Sequence, residues 1–463
     1  MKEVRIIGAA ELKGQIGEQS LTSPLLAVAC GAALGCLASL TGNLFITVIT
    51  ALSITLILWK PFFGLIGMMF MAPFEELTTF GYSFTLVKVV GVVTFICWLL
   101  QVLLKKEKIK TDHFLGVALL FLAWACCSLL WVMNWNKGIA AVATISQLVL
   151  LYLMSRNLIN SDEKLRVVLV SYVVGAVAAA VIATLGVYEA GFVTRASVSD
   201  LQDPNHFARA LSVALILTVY LACKYRSHQR MLCFISSFLL AWGVLLSGSR
   251  GAWLAVLASA AAAFLYTKNK ILKITLVTAL GMVVLLFNSP ILRAMPPLIT
   301  ERVVSMPELA DRGSGRLDIW MVGVEMVKKN WPAGVGINSF ITAYNDYIVK
   351  TSDEIRDRGV MRDAHNSFLC ILAELGLLGL ILFCMFWLAA WKSVGALSGE
   401  PEKTMGVCML VYLFFASLTG TEYMNKYFWV GLLVVNMLFL VKGNKPAVEK
   451  VVTRKRESGY SYL

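Results

Sequence analysis

The feature that most constrains this chain is the recurrence of apolar runs long enough to cross a bilayer. A helix of about 20 apolar residues spans the hydrocarbon core, and only a helix or a closed barrel satisfies its backbone polar groups there. Such runs recur roughly fourteen times, near 24–40, 43–59, 61–74, 84–104, 114–133, 138–154, 165–187, 206–223, 231–246, 250–266, 271–288, 366–391, 404–420 and 427–441. The third is short. Since 58% of the residues are apolar and 15% charged, the expectation is an all-α integral membrane protein of roughly 12–14 transmembrane helices.

Charge then predicts orientation. A net charge of +13 would suggest a nucleic-acid partner in a soluble protein, but here the cations follow the topology. Lys2, Arg5 and Lys13, then Lys105 and Lys110, Arg156 with Lys164 and Arg166, Lys224 with Arg226 and Arg230, Lys268 with Lys273, and Arg454 with Arg456 fall on alternate connections and both tails. The short connections between them are nearly free of Lys and Arg, the positive-inside pattern. It predicts a multi-pass protein with both termini cytoplasmic, no nucleic-acid partner, and a basic tail over 442–463 that attracts anionic membrane lipids. No cleavable signal peptide is evident, because the first 20 residues are polar and the first span lacks a processing site. The ten cysteines lie in or beside apolar runs with no CxxC pair and read as small core hydrophobes.

Four regions follow: an N-terminal bundle of about eleven spans over 1–288, a large extracytoplasmic loop over 289–364, C-terminal transmembrane helices over 365–441, and the tail over 442–463. A loop that long in a compact membrane protein is usually functional. Within it, Leu317, Trp320, Met321, Val324 and Val327 have helical spacing and predict an amphipathic helix after Gly313-Ser314-Gly315, ended by Asn330-Trp331-Pro332. Gly334-Val335-Gly336 predicts a turn into a second short helix with Phe340, Ile341, Tyr344, Tyr347 and Ile348.

Three polar features fall where outward-facing spans begin or end. Arg250 opens a span after the tight turn Ser247-Gly248-Ser249, where helix-terminal amides and a guanidinium suit a phosphate; the alternative is a cation snorkelling to the interface. Arg316 repeats the design after a glycine-rich turn, and two such sites on one face suit a diphosphate; alone it reads as a solvated charge. His365, in Asp363-Ala364-His365-Asn366-Ser367-Phe368, stands where the long loop re-enters the membrane. A neutral imidazole there suits removal of a proton from an acceptor hydroxyl, against a structural histidine as the alternative. Asp203-Pro204-Asn205-His206 is an accessory feature, with helix capping as its simpler reading. Glu374 is read as tying its span to a neighbour. No Walker A sequence, Asp-x-Asp pair or metal-ligand cluster is visible, so no cofactor or metal is expected and the energy must come from an activated substrate.

At these residues the sequence resembles the O-antigen ligase and O-antigen polymerase family of bacterial polysaccharide assembly. The resemblance rests on Asp203-Pro204-Asn205, Ser249-Arg250-Gly251-Ala252, Gly315-Arg316 with Trp320, Trp331-Pro332 with Gly334-Val335-Gly336, and His365-Asn366-Ser367-Phe368 followed by Glu374-Leu375-Gly376 and Gly379. It implies a metal-independent glycosyltransferase of the bacterial inner membrane that moves a saccharide from undecaprenyl diphosphate to an acceptor hydroxyl. By motif, Arg250 and Arg316 hold the diphosphate, His365 acts on the acceptor, and Asp203, Asn205 and Asn366 are accessory. Ligase, polymerase and protein O-oligosaccharyltransferase members share the pattern, so the acceptor is left open among lipid A core, another lipid-linked repeat and a protein. A secondary transporter or flippase is the rival class; the two halves of the chain look unrelated and the polar groups gather at the outer edge, where a transporter would show repeats and a midplane site.

Overall fold

The computed structural model describes residues 44–80, 84–270, 273, 296–297, 299–300, 315–348 and 362–442. Its helices are α1 (Leu44–Trp59), α2 (Phe62–Met71), α3 (Leu86–Lys105), α4 (His113–Cys127), α5 (Trp135–Leu158), α6 (Asp162–Glu189), α7 (Pro204–Lys224), α8 (His228–Leu246), α9 (Arg250–Tyr266), α10 (Arg316–Lys329), α11 (Phe340–Ile348), α12 (Ser367–Gly395), α13 (Glu400–Thr419) and α14 (Lys426–Lys442). A 3-10 segment, Ala72–Thr78, and a two-residue hairpin, β1 (Thr79–Phe80) with β2 (Phe84–Thr85), join α2 to α3. The predicted run 24–40, all of 271–288 but residue 273, the N-terminal segment and the tail beyond Lys442 lie outside the described residues; each of the other runs overlaps a helix.

Seven helices among the described residues are long and apolar enough to cross a membrane: α3, α4 with its extension to Trp131, α5, α6, α7, α8 and α12. The chain is an all-α integral membrane protein. The 61–74 run does not yield a full span: α2 has 10 residues, about 15 Å of helix against a core of about 30 Å. It gives way to the 3-10 segment, which has Pro73 in its first turn.

Helix starts are set locally. Asp112, Asn134, Ser161, Asp203 and Asn366 are N-caps whose side chains each accept a backbone N–H of the first turn, worth about 1 kcal/mol apiece. The chain divides into two compact units, Met1–Leu65 with Val89–Lys108, and Ile66–Lys88 with Ile109–Leu463. In the first, Gln101 of α3 donates to the Leu58 and Trp59 carbonyls at the end of α1. In the second, α7 packs on α8, α9 on α13, and α12 on α4 and α13. α14 is buried at every residue from Tyr427 to Leu438, as a helix apolar on all sides must be. At one end of this unit Glu402 takes Lys224 and Lys442, and Arg156 lies 3.3 Å from Asp112. These are groups for which the charge pattern predicts the cytoplasmic side.

The loop helices form, and α10 packs inward through small and medium side chains beside its large apolar ones. Ile319, Val322, Gly323 and Met326 are buried, with Asp318, whereas Leu317 and Val324 are 49% and 45% exposed. Gly323 sets the packing distance. A Cβ there would stand 2.9 Å from Leu369 and 3.1 Å from Phe340, so its lack of a side chain, invisible in a count of apolar residues, lets α10 close on α12 and α11. On α11, Phe340, Tyr344 and Ile348 are buried as expected, joined by Ala343.

Candidate functional site

The site is built around an interruption in α12. Gly376 adopts φ +66°, ψ −162°, a conformation open essentially to glycine alone, and the helical ladder stops there. Its loose ends are taken up by residues 332–336: Val335 N–H donates to Ala373 O at 2.9 Å, Gly336 N–H to Glu374 O at 2.8 Å, and Leu377 N–H to Pro332 O at 2.9 Å. Trp124 Nε1 covers the Leu375 carbonyl at 2.8 Å. Buried backbone groups must be paired, and the segment Trp331-Pro332 to Gly336 is therefore the complement of Glu374-Leu375-Gly376. The Glu374 side chain serves the same joint, accepting Phe340 N–H at 2.9 Å and the Tyr423 hydroxyl at 2.6 Å. It ties α12 to α11 and to the segment before α14, the neighbour-tying role read for it from the sequence.

Arg250 begins α9 directly after the turn that ends α8. Gly248 has φ +61°, and the Ser247 hydroxyl donates to Val244 O at 2.6 Å and accepts Ser249 N–H at 3.2 Å. Arg195 fastens this turn to the start of α7: its Nε donates to Ser247 O at 2.7 Å and its Nη2 to Asn205 Oδ1 at 2.9 Å. Asp203 caps α7 by accepting Asn205 N–H at 2.7 Å. Asn366 caps α12 by accepting Leu369 N–H at 3.1 Å. The three accessory residues thus hold helix starts in place.

Between these starts lies a buried ion pair. Arg209 of α7 and Glu422, 3% and 0% exposed, are in contact, and Arg209 Nη2 also donates to Thr419 O at 2.8 Å. The Ser367 hydroxyl donates to Gly420 O and accepts Glu422 N–H, both at 2.8 Å. A Cβ on Gly251 would lie 2.8 Å from the Thr419 hydroxyl. The segment from Thr419 to Tyr423 therefore joins the ends of α7, α9 and α12, the helices that carry or adjoin Arg250 and His365.

Arg316 opens α10 after Gly315, at φ +75°. Burial, and then the charges of Arg209 and Arg250, push its pKa below the usual arginine value, so the cations stand within one another's field. His365 precedes the α12 cap with φ +46°, and its Nδ1 is 3.8 Å from Asp363. The neighbouring Ala364 carbonyl accepts Trp320 Nε1 of α10 at 3.1 Å. Burial lowers the His365 pKa most; Asp363 and Asp203 pull it up while Arg316 and Arg209 push it further down, and the result is below the ordinary imidazole value. The structure brings Arg250, Arg316 and His365 to one end of the bundle, with the imidazole neutral at neutral pH beside a group of guanidinium charges. An arrangement of this kind can hold a polyanion and accept a proton.

Sequence reasoning missed Arg195, Arg209 and Glu422. A signal was present for two of them: Arg209 lies within the 206–223 run and Glu422 just beyond the 404–420 run, opposite charges placed where an unpaired charge is costly. Arg195 carried none, because a cation in a polar connection looks solvated.

No curated protein matches the chain. Residues 235–384 match the family model described as O-antigen ligase, a stretch that begins in α8, ends inside α12 and includes Arg250, Arg316 and His365. Over this segment the chain is similar to the O-antigen ligase family, one of ligase- or polymerase-like membrane glycosyltransferases of polysaccharide biosynthesis.

Proposed function

We propose that this protein is a glycosyltransferase of the bacterial inner membrane, both termini cytoplasmic, that moves an oligo- or polysaccharide from undecaprenyl diphosphate to an acceptor hydroxyl on the outer face. The observation that carries the reading is that the half-buried His365 lies in the field of Arg316 and Arg209, and Arg316 in turn in that of Arg209 and Arg250. The lipid-linked diphosphate enters from the bilayer and rests on the two guanidiniums, which stabilise the charge that grows as it departs. His365 takes the acceptor's proton as the hydroxyl oxygen attacks the anomeric carbon. In this reading the arginines supply the cationic charge and the reaction needs neither metal nor cofactor.

The polymerase alternative uses the same chemistry with a second lipid-linked repeat as acceptor. Complementation of a host lacking the gene separates the two on a gel of surface polysaccharide. Polymer that accumulates on the lipid carrier without reaching its acceptor marks a ligase, and single repeat units that reach the acceptor mark a polymerase. Full rescue by His365→Ala would overturn the transferase reading in favour of transport or scaffolding.

A further inference from the structure

Arg209 takes no part in the chemistry above, yet it bears on the supports of both groups that carry that chemistry. It lies in the second turn of α7, buried, and the helix is fixed to two neighbours there. The Arg209 carbonyl accepts the Tyr412 hydroxyl of α13 at 3.3 Å, and the Ala210 carbonyl accepts the Tyr172 hydroxyl of α6 at 3.2 Å. From this footing the guanidinium reaches the segment that leaves α13. Nη1 meets Glu422, and Nη2 donates to Thr419 O at 2.8 Å. A Cβ on Gly420 would overlap both the guanidinium and the Glu422 carboxylate, so the bare glycine lets the backbone lie against the ion pair.

Two helix starts rest on that segment. Ser367, the first residue of α12 and two beyond His365, donates to Gly420 O and accepts Glu422 N–H, both at 2.8 Å. Gly251, directly after Arg250, faces it from α9: a Cβ there would stand 2.8 Å from the Thr419 hydroxyl and 3.7 Å from Arg209 Nη2. A buried ion pair is a poor device for stability alone, because apolar residues of similar size often do as well. A guanidinium fork instead fixes direction. We propose that Arg209 is a positioning residue of the transfer reaction: paired with Glu422, it holds residues 419–422 as a bracket that sets the Arg250 end of α9 against the His365 end of α12. The inference rests on the transferase reading and adds to it a residue that touches neither donor nor acceptor.

The test uses the full chain purified in detergent, with undecaprenyl diphosphate-linked saccharide as donor and a core oligosaccharide or a second lipid-linked repeat as acceptor. Unfolding midpoint, kcat, donor KM and amide hydrogen exchange are measured. The paired change Arg209→Met with Glu422→Met keeps the core filled but removes the fork. Its midpoint should stay near wild type while kcat falls by about tenfold to a hundredfold, the scale of a misplacement of about 1 Å, and donor KM stays within about threefold. The Trp253, Leu369 and Cys370 amides, which bond in the first turns of α9 and α12, should exchange about tenfold faster while those in the middle of α6 do not change. Ser367→Ala leaves the ion pair in place and releases α12 alone. It should lower kcat and speed exchange at Leu369 and Cys370 but not at Trp253, and it decides the matter where the paired variant is unfolded at the assay temperature. Wild-type kcat in either folded variant overturns the inference and leaves the pair a merely structural contact. A raised donor KM with kcat unchanged overturns it by making Arg209 a binding cation, and so does a lowered kcat with unchanged exchange at all three amides. A wild-type chain that transfers nothing to either acceptor removes the transferase reading and the positioning role with it, an outcome told apart by the inactivity of the wild type itself.

Discussion

Replacing Gly376 by alanine perturbs the joint that holds α12 against residues 332–336. A side chain at φ +66°, ψ −162° costs of order 1–3 kcal/mol in backbone strain. The new Cβ would also lie 1.9 Å from Pro332 O and 2.6 Å from Ala333 C, so residues 332–336 must retreat. That movement breaks the Leu377 N–H bond to Pro332 O and weakens those from Val335 and Gly336, at about 1 kcal/mol each. The total, about 4–6 kcal/mol, is a large part of the 5–15 kcal/mol of an ordinary domain. The assay is thermal unfolding in detergent followed by tryptophan fluorescence, since Trp124 donates to Leu375 O at the joint. The apparent midpoint should fall by at least about 5 °C. Gly186→Ala is the control: a Cβ there meets nothing within 4 Å, and inside α6 the change should be neutral or stabilising by about 0.5–1 kcal/mol. Equal midpoints for Gly376→Ala, Gly186→Ala and wild type would refute the argument that residues 332–336 hold the interrupted helix.

Arg250→Ala and Arg316→Ala should each lower transfer by about a hundredfold or more while leaving membrane insertion intact; near-normal product from either variant contradicts the diphosphate assignment. His365→Gln should be inactive, and full turnover by that variant would remove the base role. The wild-type pH profile carries a sign as well. A base must be neutral, and the His365 pKa lies below the ordinary imidazole value, so activity should persist at neutral pH and be lost on acidification through a midpoint below about 6.5; an acid limb above that value contradicts the environment described. Glu422→Gln leaves the Arg209 guanidinium buried without its counter-charge and should cost about 3–5 kcal/mol, seen as a lower unfolding midpoint that the paired change Arg209→Met with Glu422→Met largely restores. A Glu422→Gln protein as stable as wild type would show that the pair does not bind α7 to the segment before α14.

Much of the architecture was legible because a bilayer leaves few choices: runs such as 250–266 and 427–441 read as helices almost to their ends, α9 and α14. The candidate chemistry was legible for the same reason, since polar residues at the edges of apolar runs stand out, as Arg250 and His365 do. Pairings between distant segments were not. Nothing local says that the amides of Val335 and Gly336 belong to the carbonyls of Ala373 and Glu374, or that Arg209 faces Glu422, because those partners meet only once the helices have packed. The packed face of α10 was not legible for a related reason: Gly323 contributes close approach, which a pattern of hydrophobicity does not record.

The central claim is that this chain transfers a saccharide from a lipid diphosphate, and turnover by the purified wild-type protein in detergent tests it most directly. Undecaprenyl diphosphate-linked donor is mixed with a saccharide acceptor, with no sealed membrane present, and both glycosylated acceptor and freed lipid diphosphate are measured. The account predicts that the two products appear in equal amounts and that both disappear in His365→Gln. Intact donor after incubation with well-folded wild-type protein and each class of acceptor would contradict it.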